Sequence, residues 1–120
     1  MTKIALLAIL LAATVRNHPG LERPASEAEL LRAYAWAECI AMAYQKTPFG
    51  ADAERSANVY LEGGHAAGEA YSRVRRAIPH DLDKPSPYDG QNYALMKCLE
   101  FYESPDLKAL SRRLVGQGGK

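Results

Sequence analysis

The sequence predicts an all-α fold, a compact bundle of about five helices cross-linked by one disulfide. Apolar residues recur at helical spacing in five segments, and stretches rich in proline and glycine separate those segments. No segment shows the alternation of apolar and polar residues that is typical of a half-buried strand. The only two cysteines, Cys39 and Cys98, fall in different helical segments. The helical segments and the positions of the two cysteines support this fold class.

The N-terminal residues are typical of an export signal. Lys3 supplies a positive charge, and residues 4–13 contain no polar residue, which fits the charged end and short apolar stretch of a secretory signal. The apolar stretch is too short to span a bilayer, which takes about 20 residues. We therefore predict that residues 1–15 are a signal peptide, although residues 12–14 (Ala-Ala-Thr) give no clear cleavage site. An uncleaved amphipathic segment and an apolar helix packed in the core are the alternatives.

The first helix of the domain begins at Ser26 and runs to about Tyr44. Ser26 and Glu29 have the spacing of a capping box, in which each side chain satisfies a backbone N–H at the start of a helix. Between residues 33 and 44 the only charged residue is Glu38. A helix that is apolar on nearly every side is usually buried, so we expect this helix to be the central one.

Two further helices follow at short intervals. Residues 47–50 (Thr-Pro-Phe-Gly) are expected to break the chain, and the second helix to cover about residues 51–62. Gly63 and Gly64 should end it with a residue at positive φ, as helix C-caps often do. The third helix is expected over about residues 66–78, and its apolar stripe consists of Ala67, Ala70, Tyr71, Val74 and Ile78.

The longest irregular stretch precedes the last two helices. Residues 79–90 contain three prolines, which forbid a continuous helix. The fourth helix is expected over about residues 91–103, and the side chains expected to face inward are Tyr93, Met96, Cys98, Leu99 and Tyr102. Ser104 and Pro105 have the N-cap and N1 residue types that begin a fifth helix. We predict one helical domain over residues 16–115 and a flexible tail over residues 116–120.

The two cysteines have three possible states. In the oxidising compartment that an export signal implies, two thiols on separate helices are expected to form a disulfide. Free buried thiols are the second possibility. The third is a catalytic cysteine with His65 or His80 as its base, but a reactive cysteine favours a partly exposed, electropositive setting. The nearly uncharged helix around Cys39 therefore favours the disulfide.

The charge balance excludes several classes of function. The chain has 15 basic and 14 acidic residues, and removal of the signal peptide with Lys3 leaves 14 of each. A nucleic-acid-binding protein would show a basic excess, and a membrane-surface protein a polybasic patch, so we predict neither partner. His18, His65 and His80 have no metal-ligand spacing to each other or to the cysteines, and no motif indicates a cofactor.

Tyrosine distribution singles out one residue. Six tyrosines lie on apolar helix faces and are expected in the core: Tyr34, Tyr44, Tyr60, Tyr71, Tyr93 and Tyr102. Tyr88 instead lies in the proline-rich stretch, and a segment that is stiff beforehand loses less entropy on binding. Tyr88, with Asp81, Asp83 and Asp89 on the same stretch, is therefore a candidate for contact with a partner. A solvated connector is the alternative of equal weight.

The helical core resembles a known family. Trp36 and Cys39 within residues 36–44, and Met96-Lys97-Cys98 within residues 93–99, carry the resemblance in this order behind a signal peptide. Further matching residues are Phe49, Asp52, Ala53, Ser56, Ala57, Tyr60, Leu61, Glu62, Glu69, Ala70, Tyr71 and Leu107. Over about residues 34–115 the chain is similar to the immunity proteins of type VI secretion amidase effectors, the antidotes to the fourth amidase class.

The resemblance implies a fold, a partner and a location. The family is all-helical, periplasmic and homodimeric, and the resemblance implies that Cys39 and Cys98 carry its disulfide. The implied partner is a papain-like cysteine peptidoglycan amidase that cuts the peptide stem between D-glutamate and meso-diaminopimelate. The implied role is to bind this enzyme and block its active-site cleft, without catalysis by the immunity protein and without a cofactor.

The inhibitory contact is expected between the third and fourth helices. The candidate residues there are His80, Asp81, Asp83, Lys84, Ser86, Tyr88 and Asp89. A second candidate contact, or else an ordinary solvated face, is the run of Arg73, Arg75 and Arg76. Two other functions stay open: a helical scaffold or dimerisation module without a toxin partner, and a disulfide-exchange enzyme. The wide separation of the cysteines argues against the exchange enzyme.

Overall fold

The computed structural model describes residues 26–118, which form five helices and, within that range, no strand. The helices are α1 (Glu27–Ala43), α2 (Pro48–Gly63), α3 (Gly68–Arg76), α4 (Ala94–Glu103) and α5 (Pro105–Gly118). The predicted all-α class is confirmed. The predicted signal peptide lies outside the described residues, and the division into signal, domain and tail stays a prediction.

The first helix is the central element, as predicted. α1 packs against each of the other four helices, and its buried side chains are Leu31, Tyr34, Ala35, Ala37, Glu38, Cys39 and Ile40. Ser26 is the N-cap, because its hydroxyl accepts a hydrogen bond from the Glu29 N–H at 3.1 Å. The alanines let the neighbouring helices approach closely, while Tyr34 packs edge-to-face on Tyr71 of α3 with ring centroids 5.1 Å apart.

The second helix begins earlier than predicted. Thr47 is its N-cap and accepts a hydrogen bond from the Gly50 N–H at 3.0 Å, and Pro48 is the first helical residue. Residues 47–50 therefore start the helix instead of breaking the chain. In the same way, Ser104 is the N-cap of α5 and Pro105 is its first residue. There the Ser104 hydroxyl accepts from the Leu107 N–H at 3.1 Å, as predicted.

Gly64 ends α2 for a reason other than the predicted one. Its φ is −95°, so the positive φ expected of a C-cap is wrong. A Cβ at Gly64 would collide with the hydroxyl of Tyr71, whereas a Cβ at Gly63 would meet nothing within 4 Å. Glycine fits position 64 because the buried side chain of Tyr71 from α3 reaches the backbone there.

A disulfide joins Cys39 of α1 to Cys98 of α4, with Cα atoms 5.7 Å apart. Both residues are fully buried. The predicted disulfide is confirmed, and the alternatives of free thiols and a catalytic thiol are wrong. Because the cysteines are 59 residues apart in sequence, the bond ties α4 directly to the central helix.

The exposed face of α4 differs from the prediction. Ala94, Cys98 and Phe101 are the buried residues of this helix, and their spacing of four and three places them on one face. The disulfide holds that face against α1. Tyr93, Met96 and Leu99, which were expected to face inward, are 42%, 56% and 55% exposed. This part of α4 thus presents apolar side chains to solvent.

None of the helices in the described part of the chain combines the length and apolar character that crossing a membrane requires.

Candidate functional site

The candidate site is the α3–α4 loop, residues 77–93, which connects α3 to α4. Two side chains anchor it in the core: Ile78 is 2% exposed and Leu82 is 8% exposed. All seven predicted contact residues lie in this loop, and six of them are exposed, Ser86 being half-buried. The loop therefore has an apolar base and a polar outer surface.

The base of the loop contains a turn that is fastened to α4. The Lys84 N–H donates to the Asp81 carbonyl at 3.0 Å, which closes the turn. The ammonium of Lys97 on α4 donates to the carbonyls of Asp81 and Lys84, at 2.6 Å and 3.0 Å. A charged donor makes stronger hydrogen bonds than a neutral one. The turn around the buried Leu82 is thereby joined to the helix that the disulfide holds.

The tip of the loop is closed by its own hydrogen bonds. The Ser86 N–H donates to the Gln91 carbonyl, and the Gly90 N–H donates to the Ser86 carbonyl, both at 2.9 Å. The Ser86 hydroxyl accepts from the Tyr88 N–H at 3.2 Å. Gly90 has a φ of +72°, which glycine adopts without a steric penalty. The tip is a defined turn although almost none of it is buried.

Tyr88 is the most exposed large side chain of this turn, with 96% of its surface accessible. Pro85 and Pro87 precede it and restrict the backbone on either side of Ser86. A tyrosine has only two side-chain torsions to immobilise on binding, so it gives a large contact area at a small entropic cost. The structure therefore presents one aromatic side chain on a stiff support.

The electrostatics of the tip are set by Asp89. Its carboxylate accepts hydrogen bonds from the Tyr93 hydroxyl and from the Gln91 N–H, the latter at 3.0 Å. The Tyr93 bond, followed by the backbone bond, holds the pKa of Asp89 below its ordinary value, and the same bond to Asp89 raises the pKa of Tyr93. Asp89 is consequently a fixed negative charge beside Tyr88.

His80 and Asp83 lie on a different side of the loop. They line an open cavity of about 570 Å³ between the loop and the end of α1, together with Met42, Gln45, Leu82 and Asn92. Tyr88 and Asp89 do not line it. The structure thus divides the predicted residues between the tip, the turn at the base and this cavity.

The arginines of the second candidate contact have different environments. Arg75 forms an ion pair with Glu38 of α1, with Nε and Oε2 3.3 Å apart. Burial raises the pKa of Glu38, and the Arg75 guanidinium partly offsets that rise. All three arginines are exposed in the last turn of α3, but Arg75, with 60% of its side chain accessible, also pairs with the one buried carboxylate of α1.

Sequence reasoning missed two residues of the site, Tyr93 and Lys97. Tyr93 was assigned to the core, although its position four residues after Asp89 allows the observed side-chain contact. Lys97 was named only among the residues that carry the resemblance, and its contacts were not indicated, because its acceptors are backbone carbonyls 13 and 16 residues away. Across residues 26–118, no group of three or more potential metal-ligating side chains is close enough to hold an ion.

A family model matches residues 29–111 of the chain, and its description is Tai4, type VI secretion system amidase immunity protein. No curated protein sequence matches the chain. The matched residues include all five helices in whole or in part, both cysteines and the complete α3–α4 loop.

The solved structures that are similar to this one include two that contain type VI secretion proteins. A chain in the structure of the Tae4/Tai4 effector–immunity system from Salmonella typhimurium, a selenomethionine variant, is 28% identical, with a TM-score of 0.66. The match covers 74% of the present chain and 89% of that one. A chain from a study of type VI-secreted toxins and self-resistance proteins in Serratia marcescens is 20% identical, with a TM-score of 0.61 and coverage of 80% and 88%. At that identity the second likeness concerns the fold alone.

Proposed function

Because the chain belongs to the Tai4 family of type VI secretion system amidase immunity proteins, we propose that it binds a cognate amidase effector and blocks the active-site cleft of that enzyme. In this proposal the protein is a stoichiometric inhibitor without catalytic activity of its own. The α3–α4 loop enters the cleft, and Tyr88 is its central contact.

The family assignment supports the amidase as partner. It confirms the resemblance seen in the sequence, and the match extends over most of the described chain. The similar Salmonella structure is itself an effector–immunity system. Membership of the family gives the class of partner, and the loop gives the surface proposed to meet it.

One observation carries the proposed mode of inhibition: an almost fully exposed aromatic side chain on a loop whose backbone is held by its own hydrogen bonds. Tyr88 is 96% exposed, and no packing within the described residues accounts for a tyrosine there. The hydrogen bonds of Ser86, Gly90 and Gln91 hold the backbone beneath it. A preorganised loop spends little of its binding energy on ordering itself.

The charge of the loop suits the proposed target. The loop contains one basic residue, Lys84, and three acidic residues, Asp81, Asp83 and Asp89. The amidase proposed as partner is a papain-like cysteine enzyme that cuts between D-glutamate and meso-diaminopimelate, so its cleft accepts an acidic peptide. The loop is negatively charged, as that peptide is, so its charge is complementary to the cleft.

We further propose that the protein acts in the periplasm as a homodimer. A buried disulfide is typical of proteins that fold in an oxidising compartment, which supports export. The exposed apolar side chains of α4, Leu95, Met96 and Leu99, supply a surface of the kind that favours association. Light scattering of the purified protein measures whether it is a dimer.

The test of the proposed function is a titration of the cognate amidase with the immunity protein in a peptidoglycan cleavage assay. We expect cleavage to stop at about one immunity chain per enzyme. Tyr88→Ala should weaken binding about 30-fold, the size of a 2 kcal/mol change at an interface hot spot. Its thermal unfolding should be unchanged, because the side chain makes no packing contact.

Val59→Ala is the matched control, since Val59 is a 66% exposed apolar residue on α2, outside the loop. Its inhibition should equal that of the wild type. If Tyr88→Ala inhibits as well as Val59→Ala, the loop is not the contact. If the wild type neither binds nor inhibits any amidase of a related panel, the scaffold alternative replaces the inhibitor.

A further inference from the structure

Two side chains hold the α3–α4 loop where α4 begins: Tyr93, the last residue of the loop and the N-cap of α4, and Lys97 in the first turn of that helix. Lys97 donates from its ammonium to the carbonyls of Asp81 and Lys84, at 2.6 Å and 3.0 Å. Tyr93 donates from its hydroxyl to the Asp89 carboxylate. The two residues are four apart, so both project from the same side of the helix start. One contact fixes the base of the loop and the other fixes its tip.

These contacts form where apolar packing is scarce. Between residues 79 and 93, Leu82 is the single buried side chain, and one apolar anchor does not determine the path of a segment of this length. The Lys97 bonds are to backbone atoms, so they constrain the chain whatever side chains the loop carries. Lys97 itself is half-buried and lies in a groove with Pro85, Ser86 and Tyr93, where its bonds are partly shielded from water.

We infer that Lys97 and Tyr93 are positioning residues that hold the α3–α4 loop in its binding conformation before the amidase binds. They orient Tyr88 toward the enzyme and do not contact the enzyme themselves. This inference rests on the proposed function. Its physical basis is that a loop ordered in advance does not lose conformational entropy on association. The disulfide extends the effect, because Cys98 beside Lys97 fixes α4 to α1.

The experiment compares Lys97→Met, Lys97→Arg and Tyr93→Phe in the full mature protein. Methionine keeps an unbranched apolar stem and removes the donor, arginine keeps a charged donor, and phenylalanine removes only the hydroxyl. Two quantities are measured: amide hydrogen exchange of residues 81–91 in the free protein, and the dissociation constant for the amidase. Thermal unfolding serves as the check on the global fold.

We expect Lys97→Met to speed exchange in the loop and to weaken amidase binding, each about tenfold, as loss of hydrogen bonds from a charged donor implies. Exchange in α1 should stay as in the wild type. Lys97→Arg should restore most of the protection and the affinity. Tyr93→Phe should speed exchange only near Asp89 and Gln91, with a smaller loss of affinity.

The outcomes separate this inference from the proposed function. Faster loop exchange with unchanged affinity for the amidase overturns the inference, because loop order would then not matter for binding. Unchanged exchange in Lys97→Met overturns it as well. Failure of the proposed function shows differently, since Tyr88→Ala would then leave inhibition intact or the wild type would not bind. In that case the exchange data still decide whether Lys97 orders the loop.

Discussion

The core around α1 and the α3–α4 loop are ordered by different forces. In the core, Leu31, Ala35 and Cys39 are completely buried, and a covalent bond ties α1 to α4. In the loop, most residues are exposed, hydrogen bonds of Ser86 and Lys97 hold the backbone, and Tyr93 holds the Asp89 side chain. Stability and recognition are therefore separable in this molecule. Changes in the core should alter the free energy of unfolding, and changes in the loop should alter binding.

Removal of the disulfide is expected to have the largest effect on stability. Closure of a loop of 59 residues stabilises a protein by about 4 kcal/mol in the chain-entropy model. The double variant Cys39→Ala with Cys98→Ala should lose about that much free energy of unfolding, measured by urea denaturation, since typical totals are about 5–15 kcal/mol.

Reductant provides the control for this prediction. It should destabilise the wild type to a similar extent and leave the double variant unaffected, because that variant has no bond to reduce. A loss below about 1 kcal/mol in the double variant would mean that packing alone determines the stability of the core, since that is less than the usual range for native disulfides.

A substitution at Gly64 should have an intermediate effect and tests packing without the disulfide. Gly64→Ala places a methyl group against the Tyr71 hydroxyl, and overpacking of this kind costs about 1–3 kcal/mol. Gly63→Ala is the matched control, since nothing lies within 4 Å of its Cβ, and it should stabilise the helix by up to about 1 kcal/mol. Equal free energies of unfolding for the two variants would contradict the close approach of the Tyr71 hydroxyl to Gly64.

The sequence was sufficient to predict the helices and the disulfide, but not which face of α4 is buried or which contacts hold the loop. Ser26, Ser104 and Pro105 use local chemistry, in which a side chain caps the helix that follows, so their roles are readable from neighbouring residues. Thr47-Pro48 has the same chemistry, and its role was missed only because the proline was interpreted as a break. The cysteines were informative because two cysteines allow only one pairing within the chain.

Other features depend on the path of the chain. Met96 and Leu99 are apolar, and periodicity placed them in the core, but the disulfide turns the Ala94–Cys98–Phe101 face inward and leaves them exposed. Lys97 bonds to backbone carbonyls that any residue would supply, so no side-chain pattern marks it. Tyr88 could be singled out because it lacked a packing role, whereas the hydrogen bonds beneath it could not be foreseen.

Gly90→Ala should affect stability less than removal of the disulfide or Gly64→Ala does, and it tests the loop half of the comparison. Gly90 has a φ of +72°, and no atom lies within 4 Å of the position of a Cβ, so the only cost is backbone strain of about 1–2 kcal/mol. The loop can relieve that strain by opening locally. The free energy of global unfolding should therefore fall by less than about 1 kcal/mol, while amide exchange at Gln91 accelerates and amidase binding weakens.

Gly90→Asn separates strain from side-chain bulk, because asparagine adopts left-handed backbone conformations more readily than alanine. It should retain more loop protection and more affinity than Gly90→Ala in the same two measurements. Gly90→Ala could instead lower the free energy of unfolding as much as removal of the disulfide does. That result would mean that the core and the loop unfold as one cooperative unit. Recognition would then be inseparable from folding, and the contrast between a packed core and a hydrogen-bonded loop would be wrong.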